Sequence, residues 1–190
     1  MEKIIGLMGA MPDEIAPLAA RMKGRREETL GGVTFTTGVI GDKHAVLCCA
    51  GMGKANAAAT VQVLVTRFGA DRIIFSGIAG NMTDKVGIGD VVVGKTVLYH
   101  DAEDDMIAQS APFTACYEGD PELVKAALDA CDELGVKAIA GTIATGDQFV
   151  GDSATKAAIA EKVHPDCVEM EGAAVSQIAA KNGVPCVILR

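Results

Sequence analysis

Residues 167–190 read CVEMEGAAVSQIAAKNGVPCVILR, and this stretch decides the fold. A short apolar run, Cys167 to Met170, turns at a carboxylate into a small-residue helix expected over Glu171 to Asn182. Gly183 stops that helix, because glycine accepts the left-handed conformation that closes a helix C-terminus. Val184 to Arg190 is apolar again and of strand length. Strand, helix and strand in so short a span is the building unit of an α/β sheet.

The same unit recurs towards the N-terminus. Lys3 to Met8 reads as a buried strand and Asp13 to Met22 as a helix, with Pro12 tolerated in its first turn. Val33 to Ile40 and His44 to Ala50 read as two strands turned at Gly41-Asp42. A helix from Lys54 to Phe68 ends at Gly69, and Arg72 to Ser76 is a buried strand. Asp90 to Val93 and Lys95 to Tyr99 are strand-like and broken by Gly94, and residues 100–119 read as an irregular surface excursion. Asp120 caps a helix from Pro121 to Leu134, Lys137 to Thr145 is a strand, and Ser153 caps a helix reaching about Lys162. The expectation is one α/β domain over residues 1–190: three layers, αβα, with a mixed twisted sheet covered by helices on both faces.

Composition narrows the function. The chain has 190 residues, 49% hydrophobic and 22% charged, a globular balance with room for a sizeable core. No apolar run reaches the ~20 residues of a membrane helix, and the N-terminus lacks the order of a signal peptide. The expected location is therefore the cytoplasm, without a membrane partner. A net charge of −8 without basic clusters argues against nucleic acid as a partner. Six cysteines form no C-x-x-C pair and have no histidine near enough for a zinc-like cluster, so buried reduced thiols are expected and no metal.

In open α/β sheets ligands sit beyond the carboxyl ends of the strands, which directs attention to the loops after Met8, Ala50, Ser76, Thr145 and Cys167. Glu14, in the first turn after Gly9-Ala10-Met11-Pro12-Asp13, is either a carboxylate favouring a helix N-terminus or a general base beside a wall formed by Met11. Ser76-Gly77-Ile78-Ala79-Gly80 is either a tight turn or a place where backbone approaches a ligand. It has neither dinucleotide-fold nor phosphate-loop spacing. Phe149, in Gly146-Asp147-Gln148-Phe149-Val150, is either a core ring or a platform for a flat heterocycle. Glu169 and Glu171 stand two apart in an apolar junction, where unpartnered burial is costly. They are exposed, cap the helix, or, in one case, meet the paired hydroxyls of a ribose.

Taken in order, Gly9-Ala10-Met11 with Glu14, Gly51-Met52-Gly53-Lys54, Gly77-Ile78-Ala79-Gly80, Gly89-Asp90-Val91-Val92, Tyr99-His100-Asp101-Ala102, Gly146 to Val150 and Val168 to Glu171 resemble the successive motifs of the 5′-methylthioadenosine/S-adenosylhomocysteine nucleosidases. The resemblance spans essentially the whole chain and implies a nucleoside-phosphorylase-like domain acting on a small nucleoside without a cofactor. It implies that Glu14 activates water and that Arg190 lies near that water. It implies that Gly80 lines the purine site, with Ile78 and Ala79 beside it, and that Phe149 stacks on adenine while Val150 reads its edge. Met170 and Glu171 would hold the ribose, Glu169 would join them in the substrate-binding set, and Met11 and Met52 would face the sugar and alkylthio side.

Three departures accompany it. Ile78 stands where the family usually has a serine near the water. Residues 103–114, which in the family reach across a dimer to the neighbouring 5′ pocket, match poorly. The family also continues past the last strand through a Ser-Asp pair, whose aspartate protonates the purine, and a covering helix. Both fall after Arg190, so the fold is expected here without its C-terminal helix and the 190 residues are expected to be weakly active and marginally stable. A homodimer is implied by the family, and the helix at Lys54 to Phe68 carries more apolar side chains than one face requires, namely Ala55, Ala57, Ala58, Ala59, Val61, Val63, Leu64 and Val65. The alternatives are a related nucleosidase of the futalosine type and a nucleoside-binding protein without catalysis.

Overall fold

A computed structural model describes residues 3–190. Met1 and Glu2, part of the N-terminus in which the sequence offers no signal-peptide order, lie outside the described residues. The elements in chain order are β1 (Ile4–Gly9), α1 (Pro12–Arg21), β2 (Lys23–Leu30), β3 (Val33–Ile40), β4 (Lys43–Cys49), α2 (Lys54–Thr66), β5 (Arg72–Ser76), β6 (Gly80–Asn81), β7 (Val91–Tyr99), α3 (Asp104–Ile107), β8 (Cys116–Glu118), α4 (Pro121–Glu133), β9 (Ala138–Thr145), α5 (Ser153–Val163), β10 (Cys167–Glu169), α6 (Gly172–Lys181) and β11 (Cys186–Leu189).

Strand alternation sorts the helices between two faces. Met8 of β1 packs with Val61 and Leu64 of α2 and Val175 of α6 in the main core. Its neighbour Leu7 points the other way, onto Ile15, Leu18 and Ala19 of α1. Farther along the sheet, Ile159 and Val163 of α5 pack on Ala144 and Val168. Small residues set the spacing in the main core, where Ala57, Ala173 and Ala179 are fully buried and let α2 and α6 lie close to each other and to the sheet.

Among the described residues the strands make one mixed sheet in the order β2-β3-β4-β1-β5-β11-β7-β9-β10-β6, with β8 on β7. β4, β1, β5 and β11 are parallel. Direction then reverses, because β11 meets β7 antiparallel at Leu189 and Val93, while β9 and β10 follow β7. In a flat sheet, Thr145 and Glu169 would then lie at the edge opposite Arg190. Instead Arg190 is ion-paired with Glu169, so the sheet is strongly coiled. The long strand β7 has its register shift between Gly94 and Thr96, the kind of irregularity that bends a strand and increases its twist.

Several expectations are refined. β2 is absent from the sequence reading, because Lys23 to Leu30 is almost wholly polar and pairs only with β3 as an edge strand. The two segments around Gly94 are one strand, and the excursion at 100–119 contains α3 and β8. The cap of α5 is Asp152, whose side chain accepts from the Thr155 N–H, rather than Ser153. Asp120 caps α4 as expected, accepting from the N–H groups of Glu122 and Leu123. The cysteines are free thiols; Cys48, Cys167 and Cys186 are buried as expected, Cys49 and Cys131 are half-buried, and Cys116, in the excursion at 100–119, is exposed.

Candidate active site

The loops after β1 and β5 meet first. Glu14 lies in the first turn of α1, and its Oε2 accepts from the N–H groups of Ala10 (2.7 Å) and Met11 (3.0 Å). Its Oε1 accepts from the Ile78 N–H at 2.9 Å. The helix-terminus reading of Glu14 is realised, since the carboxylate accepts from N–H groups at the start of its own helix, and it is also fixed against the glycine loop. Gly77 makes this approach possible. A Cβ there would sit 2.5 Å from Glu14 Oε1 and 2.6 Å from Arg190 Nη1.

The loops after β10 and β11 supply the second group. Glu169 is buried and accepts from the Gly172 N–H at 2.9 and 2.8 Å, from the Glu171 N–H at 3.2 Å and from Arg190 Nε at 3.1 Å. The Thr145 hydroxyl also donates to it, in a short hydrogen bond, and the same oxygen accepts from the Ala173 N–H. With its lone pairs so occupied, Glu169 serves the N-terminus of α6 and the arginine. Glu171 is different. Its Oε1 accepts from the Gly53 N–H at 2.8 Å, and its Oε2 is 3.6 Å from Arg190 Nη2. Burial raises its carboxyl above the ordinary value, and the nearby carboxylates of Glu169 and Glu14 push the same way, against the Gly53 N–H and Arg190. Arg190, with a side chain 1% exposed, lies between Glu169 and Glu171 with its guanidinium 4.2 Å from the centre of the Phe75 ring. It approaches Glu14 only across Gly77.

The loops after β4 and β9 form the third group. Phe149 is 88% exposed, so the core-ring reading is excluded, and Val150 packs against the cluster of Ala144, Ile159 and Val168. Met52 and Ile78 are also exposed, whereas Met11 and Met170 are half-buried. Gly80 belongs to the two-residue strand β6 on Val168, with exposed Ala79 just before it. A cleft of about 390 Å³ lies between the glycine loop and residues 86–90, with Arg190 in its wall. Sequence reasoning passed over Gly77 and Thr145 as site residues. Their signal was available: a glycine with no turn requirement and a hydroxyl at the end of an apolar strand.

Glu14 held by main-chain donors, the buried Glu171 with its carboxyl raised above the ordinary value, and the exposed Phe149 ring all lie just beyond the ends of strands. A family profile described as the phosphorylase superfamily matches residues 4–190. The 5′-methylthioadenosine/S-adenosylhomocysteine nucleosidases of Shewanella sp. (strain MR-7) and Bacillus pumilus (strain SAFR-032) are each 36% identical over 98% of this chain. The chain spans 81% and 83% of their respective lengths. The crystal structure of S-adenosylhomocysteine nucleosidase from Streptococcus pyogenes superposes with a TM-score of 0.93 at 33% identity, over 100% of this chain and 82% of that one. The futalosine hydrolase of Helicobacter pylori superposes at 0.91 with 31% identity, over 100% of this chain and 87% of that one. The chain belongs to the phosphorylase superfamily, and within it to the family of the 5′-methylthioadenosine/S-adenosylhomocysteine nucleosidases.

Proposed function

We propose that this protein hydrolyses the N-glycosidic bond of 5′-methylthioadenosine and S-adenosylhomocysteine, releasing adenine for methionine salvage. The observation that carries the reading is Glu14, a carboxylate aimed by three main-chain N–H groups and set opposite Arg190 across Gly77, with Arg190 in turn 3.6 Å from Glu171. The glycosidic bond breaks through an oxocarbenium-like sugar. Glu14 takes a proton from water as the water oxygen bonds to C1′, and the bonding electrons leave with the purine, which takes its proton from the aspartate of the Ser-Asp pair that the family carries beyond the last strand. Glu171 accepts from the ribose hydroxyls, and its charge favours the cationic sugar. Arg190 holds Glu171 in place and keeps the water side of the pocket polar. Phe149 stacks on the purine, Val150 reads its edge through the main chain, and Ile78, Ala79 and Gly80 line the approach. Met11, Met52 and Met170 give the sugar and alkylthio group an apolar wall.

Water rather than phosphate is the nucleophile on charge grounds. The first loop presents Asp13 and Glu14 where a phosphate dianion would need cations, and like charges at contact repel strongly in a partly buried site. The test is adenine release from methylthioadenosine, with and without phosphate, by a polypeptide carried through to the family's Ser-Asp pair and closing helix. Release independent of phosphate is expected; strict dependence on phosphate rejects the hydrolase. Futalosine in competition distinguishes the related activity, and methylthioadenosine is expected to be the better substrate.

Two further readings belong with this one. The protein works as a homodimer, supported by Ala55 and Ala59 exposed and Ala58, Val63 and Val65 half-buried on α2. It resides in the cytoplasm, supported by buried free thiols at Cys48, Cys167 and Cys186, which suit a reducing compartment.

A further inference from the structure

The first turn of α2 holds two carboxylates side by side. The Gly53 N–H donates to Glu171 Oε1 at 2.8 Å, and the next N–H, of Lys54, donates to Asp147 Oδ1 at 2.9 Å. Glu171 belongs to the sugar side and Asp147 lies two residues before Phe149 on the purine side. Gly53 has φ +94°, and a Cβ on it would stand 3.3 Å from Asp147 Oδ1, so a side chain here would be strained and would crowd the loop. The Lys54 side chain closes the arrangement. Its Nζ is 2.9 Å from both carboxylate oxygens of Asp101 and 3.6 Å from Asp147 Oδ2. Asp101 Oδ2 also accepts from the Asp147 N–H at 2.9 Å. Lys54 Nζ is 5.3 Å from the centre of the Tyr99 ring, and the Tyr99 hydroxyl donates to Gln177 of α6 at 2.8 Å.

An exposed ion pair contributes little on its own. This one is only about one-quarter exposed on each partner and is tied to the main chain at both ends. Burial alone would raise the Asp101 carboxyl, but the Lys54 ammonium and the Asp147 N–H outweigh it and hold it below the ordinary value. Resting on the nucleosidase reading above, we propose that Lys54, clamped by Asp101 and Asp147, is a positioning residue that couples the purine loop to the ribose carboxylate. A nucleoside spans both sides and gains from their being held in register. Free adenine touches only one.

The experiment compares the affinities of free adenine and of the 7-deaza analogue of methylthioadenosine, which resists cleavage, by calorimetry on wild type, Lys54→Met, Lys54→Arg and Asp101→Asn. Thermal unfolding of each variant is recorded alongside. Lys54→Met and Asp101→Asn are expected to weaken the nucleoside about tenfold, within the usual range of coupling between sites, while adenine changes by less than about threefold. Lys54→Arg, which keeps the charge, is expected to recover most of the loss. Equal weakening of both ligands by Lys54→Met, or no weakening of the nucleoside, overturns the inference. A wild-type protein that binds neither ligand rejects the nucleosidase reading itself.

Discussion

Glu169 and Glu171 are 7% and 5% exposed with their oxygens engaged, whereas Phe149, Ile78 and Met52, on the neighbouring loops, stand 88%, 74% and 62% exposed. The difference follows from what each group has to do. A carboxylate that must act on water or a sugar is useful only at a fixed position, and fixing a buried charge requires donors that stay in place before the ligand arrives. An apolar wall gains its value when a ligand covers it, so it can remain open to solvent until then. The charged half is anchored on strand ends and the first turns of helices, and the apolar half rides on loops.

The largest effects should come from the charged half. Glu14→Gln is expected to lower turnover by about 10²–10⁴-fold, the usual worth of a positioned acid or base. Nucleoside affinity should change little, because the amide keeps the shape. Steady-state kinetics and calorimetry on one preparation check this, and near-normal turnover would leave Glu14 as a helix cap alone.

Glu169→Ala tests the same half through stability. It strands Arg190 beside a lost partner and removes the acceptor for the Gly172 N–H and the Thr145 hydroxyl. Breaking a buried pair in this way costs about 3–5 kcal/mol, read from a denaturant midpoint. A loss below about 1 kcal/mol would mean that Arg190 and α6 are held by other contacts.

On the apolar half, Phe149→Ala should barely alter stability, since the ring is exposed and buries little. It should weaken both adenine and nucleoside by about 1–3 kcal/mol, the range for loss of one aromatic stack on a base. Unchanged adenine affinity would remove Phe149 from the purine site and erase the contrast between the two halves.

The smallest effect concerns His100, which lies against Gly146 of the loop that carries Phe149. It is buried, its Nε2 has no hydrogen-bond partner, and a Cβ on Gly146 would fall 2.2 Å from that nitrogen. Burial lowers its pKa, with Lys162 and Lys54 acting in the same direction and Asp101 and Glu169 opposing. The unfolded chain therefore binds the proton more readily than the folded one. The stability that comes from keeping this imidazole neutral is complete above the unfolded value of about 6.5 and declines as pH falls towards the lowered folded value. The raised carboxyl of Glu171 has the opposite sign, because there the folded state takes up the proton first, over a range that starts above the ordinary carboxylate value. Wild type should lose stability between neutral pH and about pH 5, and His100→Gln should flatten that part of the profile. An identical slope in the variant would assign the loss to other groups.

Most of the fold and part of the site could be read from the residues. Glu14 and Glu171 stood out because a carboxylate at an apolar strand-to-helix junction needs a reason to be there, and glycines marked the loops where backbone comes close. Lys23 to Leu30 gave no strand signal, because an exposed edge strand needs no apolar face. Thr145 and Gly77 carried only weak marks, a hydroxyl ending an apolar strand and one glycine in a glycine loop, since their importance lies in what crosses the sheet to reach them.

The sequence by itself determined the elements, their alternation and the loops that carry carboxylates and glycines, because periodicity, caps and turn residues act over a few neighbouring positions. Only the tertiary structure decided that those loops meet. β7, β9 and β10 run against β1, β5 and β11, so their ends come together through the coiling of the sheet rather than through a shared strand direction. Only it separated the two glutamates as well. Glu169 and Glu171 are two residues apart and chemically alike, yet Thr145, Gly172 and a close Arg190 pair engage the first, while the second takes the Gly53 N–H and only a longer 3.6 Å contact with Arg190. That division depends on partners up to 118 positions away along the chain, beyond the reach of any local pattern.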